Sequence, residues 1–277
     1  MKIFITGIRG FLGANLARTL EARGHRVSGS SSEATHLARL RIGEPVDPAI
    51  FADSDTVIHC AHDFLPGALD RNVRGSRLIL EAAGARRQIF MSSHSARQDA
   101  VSEYGIAKYR IERDYLEAGQ TVVRPGLVIG AGGMFGRHLH MIRNSRVIPL
   151  VDGGSDPVAV LALSDFCMAM IKVVEASGQL ILNLFNRTEP SMREIVDTVL
   201  RLDHRRALII PVPYILAASG VAAAERLRVP LSFNSGSLST MKLNRKRVHE
   251  SSLRDLIDAE TALETAIARS LELPTVT

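Results

Sequence analysis

The stretch Lys2–Gly13, KIFITGIRGFLG, decides the fold of this 277-residue chain. It opens with a short β-rich run, after which Gly7, Gly10 and Gly13 recur at every third position. Glycines in this pattern let the backbone turn tightly and approach a pyrophosphate, whose charge meets the amino-terminal end of the next helix. A tight turn without a ligand is the simpler interpretation. The order of strand, glycine loop and helix favours a dinucleotide-binding site.

Short β-rich runs alternate with helical patterns through the first half of the chain. After the glycine loop, Leu12, Leu16 and Leu20 recur at every fourth position and predict one apolar helix face. Further strands are predicted at 26–29, 56–61, 88–92 and 121–124, and further helices at 73–83 and 103–118. This alternation predicts an α/β fold, a Rossmann-like doubly wound parallel sheet, whose strands end at one ligand-binding edge.

The second half of the chain is less regular. Loops are predicted to begin at 130–133 and 152–155, helices to span 164–176, 191–202 and 216–227, and extended segments to span 180–184 and 209–213. From this pattern we expect residues 1–130 and 157–187 to form the dinucleotide-binding domain. Residues 131–156 and 188–277 are expected to form a small C-terminal substrate-binding lobe.

Composition limits the classes of function. A net charge of +5 suits an anionic small ligand, and no Lys or Arg run is long enough to predict a nucleic-acid-binding stripe. The chain has neither a secretory signal pattern nor a membrane-length apolar stretch, so a cytoplasmic protein without membrane contact is expected. Cys60 and Cys167 lie in apolar patterns and are expected to be reduced. His138 and His140 lack a third ligand nearby, so no metal is expected.

A second pattern carries possible acid–base chemistry. Tyr104 and Lys108 stand four residues apart in a predicted helix and therefore share a face. An ammonium beside a phenol stabilises the phenolate and lowers its pKa from about 10. Ser92 and Ser93 end the strand before this helix, where a hydroxyl can hold a substrate oxygen. A Tyr–Lys pair is often only a solvated helix face, but the serine-tipped strand favours the catalytic interpretation.

Several motifs then occur in order over the first 165 residues. They are TGIRGFLG at 6–13, DTVIHCA at 55–61, NVRGS at 72–76, the serine pair, YGIAK at 104–108, RPGLVIG at 124–130 and LSD at 163–165. Together they resemble the short-chain dehydrogenases/reductases of the extended or atypical branch, the NAD-dependent epimerase/dehydratase family. The resemblance implies an NAD(P)-dependent enzyme with a small-molecule substrate.

The resemblance also implies roles for single residues. Ser93 orients the substrate oxygen, Tyr104 is the acid/base, and Lys108 serves both the phenol and the nicotinamide ribose. The segment His59–Ala61 passes beneath the cofactor. The expected cofactor-binding residues are Gly7, Arg9, Gly10, Phe11, Leu12, Gly13, Ser30, Ser31, Cys60, Ala61, Tyr104, Lys108, Pro125 and Gly126.

The chain departs from the family pattern at several positions. Dehydratases of the family carry acidic residues directly after the Ser/Thr, where this chain has His94 and Ser95, which argues against dehydration. Leu127 stands where sugar-nucleotide epimerases have Asn, and Asp156 where they have a basic residue. The basic residues that offer a replacement grip on a diphosphate are Arg137, His138 and Arg143. The alternative is that these three lie in a solvated loop.

The end of the second strand bears on the choice of cofactor. NAD-specific sites usually place an acid there to bind the ribose hydroxyls, whereas this chain has no acid before Glu33. Arg9 is within reach of a 2′-phosphate, to which Ser30 and Ser31 also offer hydroxyls. The sequence therefore favours NADP, with NAD as the alternative.

Three functions follow from these patterns. The leading hypothesis is an NAD(P)-dependent oxidoreductase that interconverts an alcohol and a ketone with the Ser93–Tyr104–Lys108 set. The second is a sugar-nucleotide epimerase that retains its cofactor. The third is a non-catalytic dinucleotide-sensing protein, against which the intact set argues. Nucleic acid is not an expected partner, and a homodimer is left open.

Overall fold

The computed structural model describes residues 1–33, 37–176, 178, 180–226, 235–244 and 248–272. Its strands are β1 (Lys2–Thr6), β2 (Arg26–Ser31), β3 (Ala38–Arg39), β4 (Thr56–His59), β5 (Arg87–Met91), β6 (Thr121–Pro125), β7 (Leu127–Ile129), β8 (Val147–Val151), β9 (Val160–Ala162), β10 (Ile181–Leu184) and β11 (Leu208–Val212). Its α-helices are α1 (Phe11–Ala22), α2 (Leu69–Ala83), α3 (Glu103–Glu117), α4 (Gly133–Asn144), α5 (Leu163–Glu175), α6 (Met192–Leu202), α7 (Tyr214–Arg226), α8 (Ser235–Asn244) and α9 (Leu263–Glu272).

Seven strands form one parallel sheet in the order β10-β6-β5-β4-β1-β2-β3. The chain builds outward from β1 to β3 and then returns to add β4, β5, β6 and β10 on the other side of β1. The strand order therefore reverses between β1 and β4, and ligands of doubly wound sheets bind at such a point. The predicted Rossmann-like α/β class is confirmed.

The strand sequences explain why this sheet is central. Strands β1, β4, β5 and β6 are buried over almost their whole length, as expected for a parallel sheet covered by helices on both faces. On one face, Leu16 and Leu20 of α1 and Phe166 and Met170 of α5 are buried against the sheet in one core. The predicted leucine face of α1 is thus its core face, although Leu12 is only partly buried.

A separate apolar core lies beyond the sheet. It combines side chains of α4, α6 and α9 with those of the strand pairs β8–β11 and β7–β9. Strand β10 belongs to the large sheet, and Leu253 and Ile257 from the C-terminal part pack into the core of that sheet. The domain boundaries stay a prediction.

The segment that follows Gly130 differs from the loop predicted there. Helix α4 begins at Gly133 and buries Phe135, Leu139 and Ile142, which are spaced four and three residues apart. This helical spacing of apolar side chains outweighs the local cost of the glycines. No described helix is long and apolar enough to cross a membrane.

Candidate active site

The glycine loop and the end of β4 meet at the carboxyl edge of the sheet. Gly7 has a φ of +68°, and a Cβ there would lie 3.0 Å from the Cα of Ala61. A Cβ at Gly13 would lie 2.4 Å from the carbonyl oxygen of Gly7, so no other residue fits that turn. The Ala61 amide also donates to Thr6 Oγ1 at 3.2 Å, which ties the two strand ends together. The loop is therefore held close against the end of the neighbouring strand.

The amino-terminal end of α1 suits an anion. Gly10 begins the helix, is exposed, and supplies no capping side chain, and the first turn contains no acidic residue. The first-turn amides and the helix dipole therefore favour an anion such as a pyrophosphate at this end. Phe11 and Leu12 are half-buried beside this turn, and a Cβ on Gly132 would lie 2.6 Å from the Phe11 ring. These features fit the dinucleotide implied by the motif.

At the end of β2, two of the residues expected to bind a 2′-phosphate are engaged with Glu33. Arg9 Nη1 donates to Glu33 Oε2 at 2.8 Å, and both side chains are exposed. Ser31 Oγ donates to the Glu33 carbonyl oxygen at 3.0 Å, while the buried hydroxyl of Ser30 has no partner among the described residues. Glu33 is therefore an acid beside the loop after all, and a 2′-phosphate on Arg9 would have to displace its carboxylate.

Ser93 and Tyr104 lie together at the same edge. The Ser93 hydroxyl lies near enough to the Tyr104 phenol to lower its pKa by hydrogen bonding, and the Ser95 amide donates to Ser93 Oγ at 3.2 Å. Helix α3, which carries Tyr104, begins at the N-cap Ser102, whose side chain accepts from the Gly105 amide. Burial raises the pKa of Tyr104, and hydrogen bonding from Ser93 only partly offsets this, so the lowering predicted from the neighbouring Lys108 is wrong. Tyr104 is therefore a protonated phenol at neutral pH.

Lys108 is one turn along the same helix and almost fully buried. Its Nζ donates to the Met91 carbonyl oxygen at 2.7 Å and lies 5.8 Å from the centre of the Tyr104 ring. Burial lowers its pKa to about 8, against the opposing effects of Cys60 and Glu112. The side chain is thus charged at pH 7. Its interaction with Cys60 also places it close to the strand end that contacts the glycine loop.

The remaining predicted cofactor residues lie at the ends of β4 and β6. Cys60 is half-buried beside Lys108, and burial raises the pKa of its thiol to about 12. Pro125 is buried at the end of β6, and the amide of Gly126 donates to the Leu184 carbonyl oxygen at 2.9 Å. Cys60 and Cys167 are both free, and no three His, Cys, Asp or Glu side chains among the described residues group as metal ligands.

His59 is buried and hydrogen-bonded within the fold, and its place beneath the cofactor stays a prediction. Its Nδ1 lies 2.7 Å from Thr6 Oγ1 and its Nε2 2.9 Å from Ser76 Oγ. Burial lowers its pKa to about 3. The neutral ring therefore joins β1, β4 and α2 just below the site.

A buried polar network, which the sequence analysis missed, supports the serine-bearing loop from behind. Ser92 Oγ donates to Glu112 Oε1 at 2.5 Å, and Arg124 binds both carboxylate oxygens of Glu112 at 2.8 and 2.6 Å. Arg124 Nη1 also lies 3.3 Å from His249 Nδ1, and His249 Nε2 lies 3.1 Å from the Ala96 carbonyl oxygen. Glu112 follows Lys108 by four residues, so the helical spacing was a usable signal, whereas nothing in the sequence pointed to His249.

The buried position of His249 in this network makes the stability of the fold sensitive to acid. Burial, with the nearby positive charge of Arg124, lowers its pKa to about 4, below the ~6.5 of an unfolded histidine. Its contribution to stability is therefore intact above about pH 6.5 and is lost as the pH falls towards 4. We expect His249→Gln to remove this part of the acid sensitivity, measured as the free energy of unfolding in urea from pH 7 to pH 4.

His140→Gln, on the exposed face of α4, is the control and should follow the wild type. A His249→Gln protein that loses stability in acid as steeply as the wild type would contradict this account of the network.

The basic residues considered for a diphosphate all lie on α4, not in a loop. Arg143 pairs with Asp203 at 3.1 Å, His138 is half-buried, and Arg137 is exposed. The structure therefore does not bring these three residues together as one diphosphate-binding site.

Comparison with known proteins agrees with this architecture. A family model for the NAD dependent epimerase/dehydratase family matches residues 3–183. MoeE5 in complex with UDP-glucuronic acid and NAD is similar, with a TM-score of 0.73 at 19% identity over 98% of each chain. The UDP-glucose 4-epimerase of Thermus thermophilus, in complex with NAD, gives a TM-score of 0.61 at 19% identity, covering 90% of this chain and 100% of its own. No curated protein sequence matches significantly.

A third similar structure is TunA, an NAD-dependent NDP-hexosamine 5,6-dehydratase, with a TM-score of 0.68 at 17% identity over 98% of this chain and 96% of its own. At such identities the structural matches establish the fold only. The family model spans more than half of the chain, and the resemblance noted in the sequence is confirmed. The chain therefore belongs to the NAD-dependent epimerase/dehydratase family of enzymes.

Proposed function

We propose that the protein is an NAD(P)-dependent oxidoreductase that interconverts an alcohol and a ketone on a small-molecule substrate. The proposal rests above all on the placement of Ser93 beside Tyr104, with the Lys108 ammonium 5.8 Å from the centre of the same phenol ring. This set lies at the strand edge that also holds the glycine loop, where a dinucleotide would place its nicotinamide.

Each side chain has a distinct part in ketone reduction. The ketone oxygen accepts hydrogen bonds from the hydroxyls of Ser93 and Tyr104, and the Tyr104 proton moves to that oxygen. The bound cofactor supplies the hydride. The Lys108 ammonium, charged below about pH 8, stabilises the phenolate left behind and offers its other protons to the ribose.

Deuteride transfer tests this reaction class. Carbonyl compounds are incubated with the enzyme and NADPH or NADH carrying two deuterium atoms at C4 of the nicotinamide, so that either face delivers label, and the alcohols are examined by mass spectrometry. The proposal predicts one deuterium on the carbinol carbon and an equal amount of oxidised cofactor. Alcohol products without deuterium would contradict it.

The alternative is a sugar-nucleotide epimerase, in which the same hydride step is reversed on a retained cofactor. The family model and the UDP-sugar-bound MoeE5 favour this alternative. Leu127 and Asp156 stand where sugar-nucleotide epimerases have an Asn and a basic residue that hold the nucleotide diphosphate. These two replacements favour the oxidoreductase. A non-catalytic dinucleotide sensor would have no need of the Ser93–Tyr104 hydrogen bond. A cytoplasmic location and a homodimer stay predictions from the sequence.

We further propose NADP as the preferred cofactor, read by Arg9, although the structural neighbours are NAD complexes. A charge-assisted bond to the 2′-phosphate is worth ~1.5–3 kcal/mol, or roughly ten- to a hundredfold in affinity. Arg9→Ala should weaken NADPH by that factor in titrations and leave NADH unchanged. Glu33→Gln should tighten NADPH a few-fold, because an exposed ion pair holds Arg9 by ~1 kcal/mol at most.

Arg18→Ala on the exposed side of α1 removes the same charge and is the matched control. Equal affinity of the wild type for NADH and NADPH, or equal loss of both in Arg9→Ala, would show that Arg9 does not read a phosphate.

A further inference from the structure

The loop between β4 and α2 places two aromatic rings on Tyr104. The Phe64 ring stacks on the Tyr104 ring, with centroids 5.8 Å apart and an interplanar angle of 22°. His62 meets the same phenol edge-on at 5.1 Å and contacts Phe64 at 4.9 Å. We call His62, Phe64 and Leu65 the aromatic wall. It stands directly beside the proposed proton donor.

Two side chains of the wall are exposed to solvent although they are large and apolar. Phe64 is 68% exposed and Leu65 is 65% exposed, and Phe64 is the only exposed Phe or Tyr among the described residues. The Phe64 ring contacts Tyr104 and His62, and most of its remaining surface faces solvent. Large apolar side chains exposed together at a reactive group usually mark a binding surface.

The wall is also uncharged. Burial lowers the pKa of His62 to about 2, so its ring is neutral. Asp63, in the same loop, is neutralised by an ion pair with Arg71. Next to Ser93, the His94 ring packs edge-on against Phe185 at 5.0 Å, which continues the aromatic surroundings of the site. Such a surface complements an apolar ring better than a phosphate.

We propose that the aromatic wall binds an apolar aromatic ring of the substrate, so that the enzyme acts on carbonyl compounds in which such a ring lies next to the reacting carbon. The inference rests on the proposed function for the position of the reacting oxygen, at Ser93 and Tyr104. The ring would pack on the exposed apolar surface of Phe64 and Leu65, beside the two hydroxyls that would hold the carbonyl oxygen. Offset stacking of rings and burial of apolar area supply the affinity.

Binding to a complex that cannot react tests the wall independently of turnover. The protein is saturated with NADP⁺, or with NAD⁺ in a parallel series, and titrated with acetophenone, using saturation-transfer NMR. Because a ketone needs the reduced cofactor, no reduction of acetophenone follows. We expect acetophenone to bind the wild type, Phe64→Ala to weaken it about ten- to a hundredfold, and Phe64→Leu to have an intermediate effect.

Leu208→Ala, at a similarly exposed apolar residue on β11, is the matched control and should bind acetophenone as the wild type does. Cofactor affinity should be the same in all four proteins. The inference is overturned if acetophenone does not bind the wild type, or if it binds Phe64→Ala as tightly as the wild type.

Addition of NADPH or NADH then separates this inference from the proposed function. Acetophenone binding that depends on Phe64, without any reduction, supports the wall and contradicts the oxidoreductase. Reduction of carbonyl compounds with unchanged KM in Phe64→Ala supports the oxidoreductase and overturns the wall.

Discussion

Tyr104→Phe is expected to lower turnover by about 10²–10⁴-fold, the usual contribution of a general acid–base group. The substitution deletes the phenol oxygen that shares a hydrogen bond with Ser93 and keeps the ring that packs against Phe64 and His62. Cofactor affinity should therefore stay nearly unchanged. Steady-state rates of NAD(P)H oxidation and fluorescence titration of the reduced cofactor measure the two effects.

Tyr109→Phe is the matched control, because Tyr109 is half-buried on the same helix and the substitution deletes the same atom. It should keep wild-type turnover. A Tyr104→Phe enzyme with more than about a tenth of wild-type activity would show that another group supplies the proton.

Lys108→Met is expected to damage both turnover and cofactor binding. Methionine fills a similar volume but removes the ammonium that lies over Tyr104 and is proposed to bind the ribose. Loss of a charge-assisted hydrogen bond should weaken the cofactor roughly ten- to a hundredfold. Because the pKa of Lys108 is lowered to about 8, wild-type turnover should also fall above that pH, and this decline should be missing from the variant.

Lys172→Met, an exposed position on α5, is the control and should alter neither quantity. Thermal unfolding of both variants checks that the fold is kept. If Lys108→Met reduces turnover but binds the cofactor normally, this lysine does not bind the ribose, and the double role is contradicted.

The sequence predicted those parts of the fold that depend on local patterns. The glycine loop, the leucine face of α1 and the four-residue spacing of Tyr104 and Lys108 are all short-range features, and each lies as expected. The order of strands and helices then leads to the parallel sheet, because right-handed crossovers leave few alternatives. The same reasoning placed Ser93 at the sheet edge next to Tyr104.

Features that depend on contacts between distant segments were not predictable. His249 reaches Arg124 across 125 residues, and no local pattern marks it. Phe64 stands in a loop whose path follows from packing against α3. Helix α4 was not predicted, because the glycines before and at its start indicate a loop, although its apolar spacing was present in the sequence. Glu33 was recognised as the first acid after β2, but its ion pair with Arg9 depends on the fold of two loops.

Exchange of the cofactor tests the central claim most directly, since it needs no knowledge of the substrate. The purified protein is incubated with NADP⁺ or NAD⁺ labelled in the adenine ring, then separated from free nucleotide and denatured, and the bound nucleotide is quantified. We expect the label to equilibrate fully with the bound cofactor within minutes, as for an oxidoreductase that releases its cofactor in every cycle. A cofactor that co-purifies at one equivalent and stays unlabelled for hours would contradict the oxidoreductase and indicate an epimerase.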